Sequence, residues 1–398
     1  MSDFASLLGR RTLLKRSAAA AVAAAAFPSL GRAQTGPYRV GLMLPASGTF
    51  AVVGRAIDNG FRLALAEYGN KLGGRPVEIV SIDDESDPAK AIDKANRLLQ
   101  RDNVNVLVGS VHSGVALAMA KAARDNKALL IVPNAGADEL TGPLCAPNVF
   151  RTSFSNWQPS HAAGKVVAER KHKTVVTLAW RYAAGEQSVK AFRESYEAAG
   201  GQVIKELYLP FPNVEFQALL TEIASLKPDA VYAFVPGSGA VKLVKDYVAA
   251  GLKRSIPLYG PGFITDGLLE AMGDAGEGII TTLHYADGLA HAKDKAFRTA
   301  YKAAYKDLPP DVFAVQGYDT AQLLQAGLTA VAGDTRNQAA LIKALAGARI
   351  DSPRGTFTMS KAHNPVQDIY IRQVQGGENR YIGVASKALA DPAVGCGI

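Results

Sequence analysis

Tyr38-Arg39-Val40-Gly41-Leu42-Met43-Leu44-Pro45-Ala46-Ser47-Gly48 is an apolar run that stops at a proline and a turn of small residues. It predicts a buried strand over 39–44 whose carboxyl end opens into a tight loop. Working outward, Ile57, Phe61, Ala64, Leu65 and Tyr68 recur at helical spacing, so a helix follows the loop and lays one apolar face on the strand. Further strands are predicted over 77–83, 104–108 and 129–132, with helices over 88–101 and 115–125 between them. Pro88 directly after Asp87 is good chemistry for a helix start, because a proline at the first position gives up no needed N–H. Strands alternating with helices make βαβ units and hence a parallel sheet covered on both faces.

The same grammar restarts at residue 174. Strands are predicted over 174–180, 203–208, 230–235 and 257–260, alternating with helices over 186–199, 216–226 and 240–250. A strand over 278–285 follows, then helices over 293–305, 311–332 and 337–346. The remaining strands, over 355–359, 368–374 and 380–384, have no sheet of their own. The economical solution is an α/β protein of two doubly wound parallel-sheet lobes between which the chain crosses back. A length of 398 residues suits two lobes, since single cores stop growing near 250–300 residues.

With 48% hydrophobic and 20% charged residues, 38 Gly and 20 Pro, the chain is neither disordered nor fibrous. The formal charge of +8 raises a nucleic-acid or membrane surface as a partner, but its placement argues otherwise. Arg10, Arg11, Lys15, Arg16 and Arg32 stand against Asp3 alone, so about half of the excess lies in residues 1–33. That segment reads as a signal peptide: a basic stretch, an apolar run over 18–27, then small Gly31 and Ala33. Ten apolar residues are too few to span a bilayer, which needs about 20. Gly9-Arg10-Arg11-Thr12-Leu13-Leu14-Lys15 resembles a twin-arginine export signal. The expected location is the periplasm. In that oxidising space Cys145 and Cys396 are an even pair with no odd thiol, and a disulfide between them is expected.

Enzyme signatures of weight are missing. There is no phosphate-binding G-x-x-x-x-G-K-[ST], no G-x-S-x-G elbow and no H-E-x-x-H. His284 and His291 do not have metal-ligand spacing, and His112-Ser113 lacks a third group to orient a base, so neither a metal nor a cofactor is expected. Arg170-Lys171-His172-Lys173 closes a predicted helix, where cations suit the dipole, and is read as a solvated end rather than a nucleic-acid patch. Binding is left to the loops at the strand carboxyl ends, where open α/β sheets hold ligands. In the first lobe these are 45–50, 109–114 and 133–136; in the second, 180–185, 236–239 and 261–263. Small residues there let backbone N–H groups reach a ligand, and adjoining helix N-termini favour an anion. Turn chemistry alone explains any one loop; as facing sets they describe a cleft.

Several segments, in order, carry a resemblance: Val40 to Gly48 with Gly54 beyond, Asp83-Asp84-Glu85-Ser86-Asp87-Pro88, Val108-Gly109-Ser110, Glu139-Leu140-Thr141 with Phe150-Arg151-Thr152, Gly185-Glu186, and Gln316-Gly317-Tyr318-Asp319. From Tyr38 to about Val384 the chain resembles the leucine/isoleucine/valine-binding family of periplasmic substrate-binding proteins, which feed ABC importers. The resemblance implies a type I fold with a three-strand hinge, crossing near 152–156, 284–286 and 360–364. One lobe would comprise 37–154 plus 286–361, the other 155–285 plus 362–398. It also implies a monomer that works with an inner-membrane permease and ATPase.

In the amino-acid binders of that family a serine hydroxyl and the next loop hold the ligand carboxylate; the matching positions are Ser113, Asn134 and Gly136. The glutamate that holds the ligand ammonium is replaced by Gly262, the cleft tryptophan by Val53 and a cleft tyrosine by Ala184, with Tyr182 two residues earlier. A buried ammonium without a counter-charge is strongly disfavoured. A carboxylate holder without an ammonium holder points to a monocarboxylic acid. Phe50, Trp180, Tyr182, Phe263 and Tyr285 fall at or near the cleft loops and suit a flat ring, so the expected ligand is an aromatic acid. His112 and Gly237 complete the expected lining. A branched-chain amino acid or amide binder, and a sensor or adaptor for a membrane receptor, are the alternatives that the residues leave open.

Overall fold

A computed structural model describes residues 36–398; the expected signal peptide over 1–33 lies outside the described residues. Tyr38–Leu44 (β1), Lys71–Leu72 (β2), Arg75–Asp83 (β3), Val106–Val108 (β4), Leu129–Val132 (β5) and Val149–Arg151 (β6) form the first sheet. Its order is β2-β3-β1-β4-β5-β6, parallel except where β2 turns back on β3. β4 and β5 are buried along their whole length, as expected of strands covered on both faces. The helix Pro88–Asn96 starts as expected, with Asp87 accepting from Ala89 N–H at 2.9 Å, and its last turn loosens to a π-helical turn over Arg97–Arg101.

Thr174–Arg181 (β7), Gln202–Pro210 (β8), Ala230–Phe234 (β9), Leu258–Pro261 (β10) and Ile280–Leu283 (β11) build the second sheet, again parallel between neighbours. Arg349–Ile350 (β12), Phe357–Met359 (β13), Pro365–Gln375 (β14) and Glu378–Leu389 (β15) supply the orphan strands. β14 begins by pairing with β13 and then runs antiparallel along β11, while β15 folds back on β14. The helix that the basic cluster at Arg170 is expected to close runs over Trp157–Glu169; its start, Trp157-Gln158-Pro159-Ser160, gives no clear apolar period, so only its end is marked in the sequence. Strands β1–β6 thus make one sheet and β7–β15 the other.

Returning helices complete the first lobe. The helix Val312–Ala330 is buried over most of its length and packs on the helix Ala51–Glu67. The two backbones touch at glycines: a Cβ at Gly60 would fall on the Ala314 carbonyl, and one at Gly317 on the Ile57 carbonyl and 2.9 Å from Phe61 N. The rest of the Gln316-Gly317-Tyr318-Asp319 motif has separate work. Gln316 Oε1 accepts from Asn134 Nδ2 at 2.7 Å, and Asp319 pairs with Arg354 at 3.1 Å.

The stretches over 152–158 and 354–367, at two of the three expected crossings, are bonded to each other. Arg354 donates to the Thr152 and Ser153 carbonyls at 2.6 and 3.2 Å, and Gln367 Nε2 donates to the same Ser153 carbonyl at 2.7 Å. Gln158 Nε2 donates to the Pro365 and Leu389 carbonyls, and Asn364 Nδ2 donates to Gln158 Oε1 at 3.0 Å. Cys145, in the loop before β6, is disulfide-bonded to Cys396 beyond β15, with Cα atoms 5.6 Å apart. Among the described residues no helix is long and apolar enough to cross a membrane.

Candidate ligand-binding site

A cavity, with about 360 Å³ of empty space counting its opening to solvent, lies between the carboxyl ends of the two sheets. The β1 loop enters it because Asp83, at the end of β3, accepts from Ala46 N–H and Ser47 Oγ at 2.8 and 2.6 Å. That bracket swings Phe50 inward, and Gly54 lets the Pro45 carbonyl lie against the following helix. Val53, one residue earlier on that helix, lines the cavity beside Phe50.

Ser113 opens the helix Ser113–Asp125, capped by His112, whose Nδ1 accepts from Gly114 N–H at 3.0 Å. Burial holds the His112 imidazole down to about 4, with Asp87 opposing, so it is neutral at ordinary pH and its cap nitrogen is free to accept. The Ser113 hydroxyl has no hydrogen-bond partner among the described residues, and neither have the N–H groups of Asn134 and Gly136. All three residues line the cavity. Gly136 has no room for a side chain: a Cβ would meet the Asn156 amide and, at 2.6 Å, the Phe154 ring. A serine hydroxyl, two free backbone N–H groups and a helix N-terminus are what a carboxylate needs.

The remaining walls are rings. Phe154, Phe234, Phe263 and Phe313 form one group, with Phe154–Phe263 centroids 4.6 Å apart and Phe234–Phe263 at 6.0 Å. Tyr182, with Ala184 beside it, extends the group from the loop after β7, its ring centroid 6.3 Å from that of Phe234. Behind Tyr182 a second group joins the lobes, with His112 stacked on Tyr182 at 5.0 Å and Phe211 within 5.6 Å of Phe50. Burial raises the Tyr182 phenol far above its ordinary value, so it can only donate or accept as the neutral group. Among the described residues, no side chain lining the cavity is charged.

Of the residues expected from the sequence, Phe50, Val53, Ser113, Asn134, Gly136, Tyr182, Ala184 and Phe263 line the cavity. The other five stand elsewhere. Trp180 lies in the core of the second lobe, its Nε1 donating to the Asn213 carbonyl, because β7 turns its side chain to the far face. Tyr285 is buried against Asp294, to which its hydroxyl donates at 2.8 Å. His112 sits behind Tyr182 as a cap, and Gly237, at φ +68°, packs against the Thr49 carbonyl across the cleft. Gly262 faces away from the cavity: a Cβ there would fall on the Arg372 guanidinium and 2.7 Å from Asp266 Oδ2. Arg372 and Asp266 are a buried bidentate pair at 2.6 and 3.2 Å, filling the space a larger residue at 262 would need.

Val111, Phe154, Asn156, Phe234, Pro236 and Phe313 also line the cavity; Val111 and Pro236 belong to the expected loops 109–114 and 236–239, and the other four were missed by sequence reasoning. Phe234 ends β9 at the correct pole, and that rule finds it. Phe154, Asn156 and Phe313 come from a connecting segment and a returning helix, where no local pattern marks a side chain as facing a ligand.

Residues 37–379 match the model of the periplasmic binding protein family. The chain is 30% identical over 342 residues to a protein of Brucella melitensis named Leu/Ile/Val-binding protein homolog 6, covering 84% of this chain and 87% of that one. An ABC transporter solute-binding protein of R. palustris solved in complex with benzoate is 52% identical, with a TM-score of 0.89 over 91% of this chain and 100% of that one. A second, from Rhodopseudomonas palustris BisB5 in complex with 3,4-dihydroxybenzoic acid, is 34% identical, with a TM-score of 0.85 over 89% and 99%.

Proposed function

Because the chain belongs to the periplasmic binding protein family, as a solute-binding protein of the kind that serves ABC transporters, we propose that its solute is a small aromatic monocarboxylate. The observation that carries this reading is one cavity with unpaired donors from Ser113, Asn134 and Gly136, aromatic walls and no acidic side chain. An amino acid would bring its ammonium into a site without a counter-charge. Similarity to the benzoate-bound protein supports the aromatic acid; similarity to the Leu/Ile/Val-binding homologue supports the general class of small organic carboxylates.

On this reading the protein works in the periplasm as a monomer and hands its solute to a membrane permease and ATPase. Residues 37–154 with 286–361 move as one body against 155–285 with 362–398, and contacts from both bodies to the ligand drive closure.

A thermal-shift panel of benzoate, 4-hydroxybenzoate, cyclohexanecarboxylate, leucine and urea tests the ligand class. A true ligand at 100 times its Kd stabilises the protein by about 2.7 kcal/mol. The expected result is a shift with the benzoates and none with leucine or urea; a shift with leucine alone sinks the reading. Titration calorimetry then assigns the carboxylate end. Ser113→Ala removes a hydrogen bond to a charged group, so benzoate binding is expected to weaken by roughly 1.5–3 kcal/mol, about ten- to a hundredfold. An unchanged Kd removes Ser113 from the site.

A further inference from the structure

One amide ties the two lobes together beside the cavity. Gln187 lies on the helix Ala183–Ala198, which follows the second lobe's Tyr182 loop, and is half-buried. Its Oε1 accepts from the Asp138 backbone N–H at 3.1 Å and from Asn156 Nδ2 at 2.8 Å, and its Nε2 donates to Glu139 Oε2 at 2.7 Å. Asp138 and Glu139 belong to the loop between β5 and β6 of the first sheet, two and three residues beyond Gly136. A backbone N–H can only donate and an ionised carboxylate can only accept, so these two partners fix which way the amide points. Asn156 is both a wall of the cavity and the donor, through its backbone N–H, to the Gly136 carbonyl at 2.7 Å.

We propose that Gln187 is the positioning residue of closure: its amide clasps the first lobe in the ligand-holding arrangement and, through Asn156, sets Gly136 where a carboxylate is met. The inference rests on the reading that the chain captures its ligand by closure. Gln187 itself is not part of the cavity lining. An open recess of about 970 Å³, lined by Asp138, Glu139, Trp157 and Gln187 among others, adjoins the clasp. Water there takes over the clasp's hydrogen bonds when the lobes part, so the clasp biases closure without locking it. Its loss therefore acts on ligand escape more than on ligand entry.

The test is a set of four proteins: wild type, Gln187→Ala, Gln187→Glu and the double variant Gln187→Glu/Glu139→Gln. Benzoate association and release are followed by stopped-flow tryptophan fluorescence, and the ligand-free proteins by small-angle scattering. Gln187→Ala is expected to raise the release rate by roughly tenfold with little change in association. Gln187→Glu sets a carboxylate against Glu139 and is expected to release faster still. In the double variant the amide stands at position 139 and donates to a carboxylate at position 187, reversing the bond's polarity, and release is expected to return to within about threefold of wild type. A residue that merely supports its helix gives no such rescue. An unchanged release rate in Gln187→Ala, with wild type binding benzoate, overturns the clasp and leaves the aromatic-acid reading standing. If wild type binds no benzoate, that reading fails and scattering decides the clasp. A larger radius of gyration in Gln187→Glu that the double variant restores supports it, and equal radii in all four overturn it.

Discussion

Arg372→Ala is expected to destabilise the fold by roughly 3–5 kcal/mol, because it leaves the Asp266 carboxyl buried without its partner. In the intact protein the guanidinium is fully buried and also donates to Thr281 Oγ1 and to the Tyr285 carbonyl, so one substitution orphans three acceptors. Burial, the larger influence, already raises the Asp266 carboxyl above the ordinary carboxylate range, and Arg372 works against it. Removing Arg372 raises it further. For an acid whose folded value is raised, stability is present below the unfolded value and is lost as pH rises through the folded one. The deficit of Arg372→Ala is therefore expected to be smallest near pH 4 and to grow toward pH 8. Urea midpoints across that range measure it, and Asp266→Asn in the same background is expected to recover part of the loss at neutral pH. A midpoint that does not change with pH, in a variant otherwise folded, contradicts the assignment of the loss to an orphaned carboxylate.

Opening the Cys145–Cys396 disulfide is expected to cost up to about 5 kcal/mol, the chain-entropy value for a bond that spans 251 residues. The bond joins the β5–β6 loop of the first lobe to the tail that leaves the second, so it restrains the unfolded chain over most of its length. Residual denatured-state structure lowers the figure. Thermal melts of the oxidised protein and of Cys145→Ser/Cys396→Ser measure the difference, and equal melting temperatures rule the stabilisation out.

The alternation of apolar runs with helical spacing was enough to locate both sheets, because a strand covered on both faces must be apolar throughout and β4, β5 and β9 are. Of the helix Trp157–Glu169 only the basic end was legible, because its buried face begins with Gln158, Pro159 and Ser160, of which Gln158 and Ser160 are satisfied by distant partners rather than hidden by their own chemistry. The site divides in the same way. Ser113, Asn134 and Gly136 sit in the loops and helix start that follow β4 and β5, at the pole where open α/β sheets hold ligands. Trp180 and Tyr285 also sit near strand ends, yet which face a side chain takes depends on register, and both turn into packing. The replacement of an acid by Gly262 was visible as a missing charge. The physical reason, a guanidinium already filling that space from β14, needed a residue 110 positions away in the chain.

Arg354, Gln158, Asn364 and Gln367 bond the stretches at two of the expected crossings, 152–158 and 354–367, to each other. Three independent strands would let two bodies twist, shear and bend separately. Strands riveted side by side resist twist and shear and leave bending as the soft direction. The proposed opening is then expected to run mainly along that bend, and a distance between one pair of points across the cleft is the measurement that follows it.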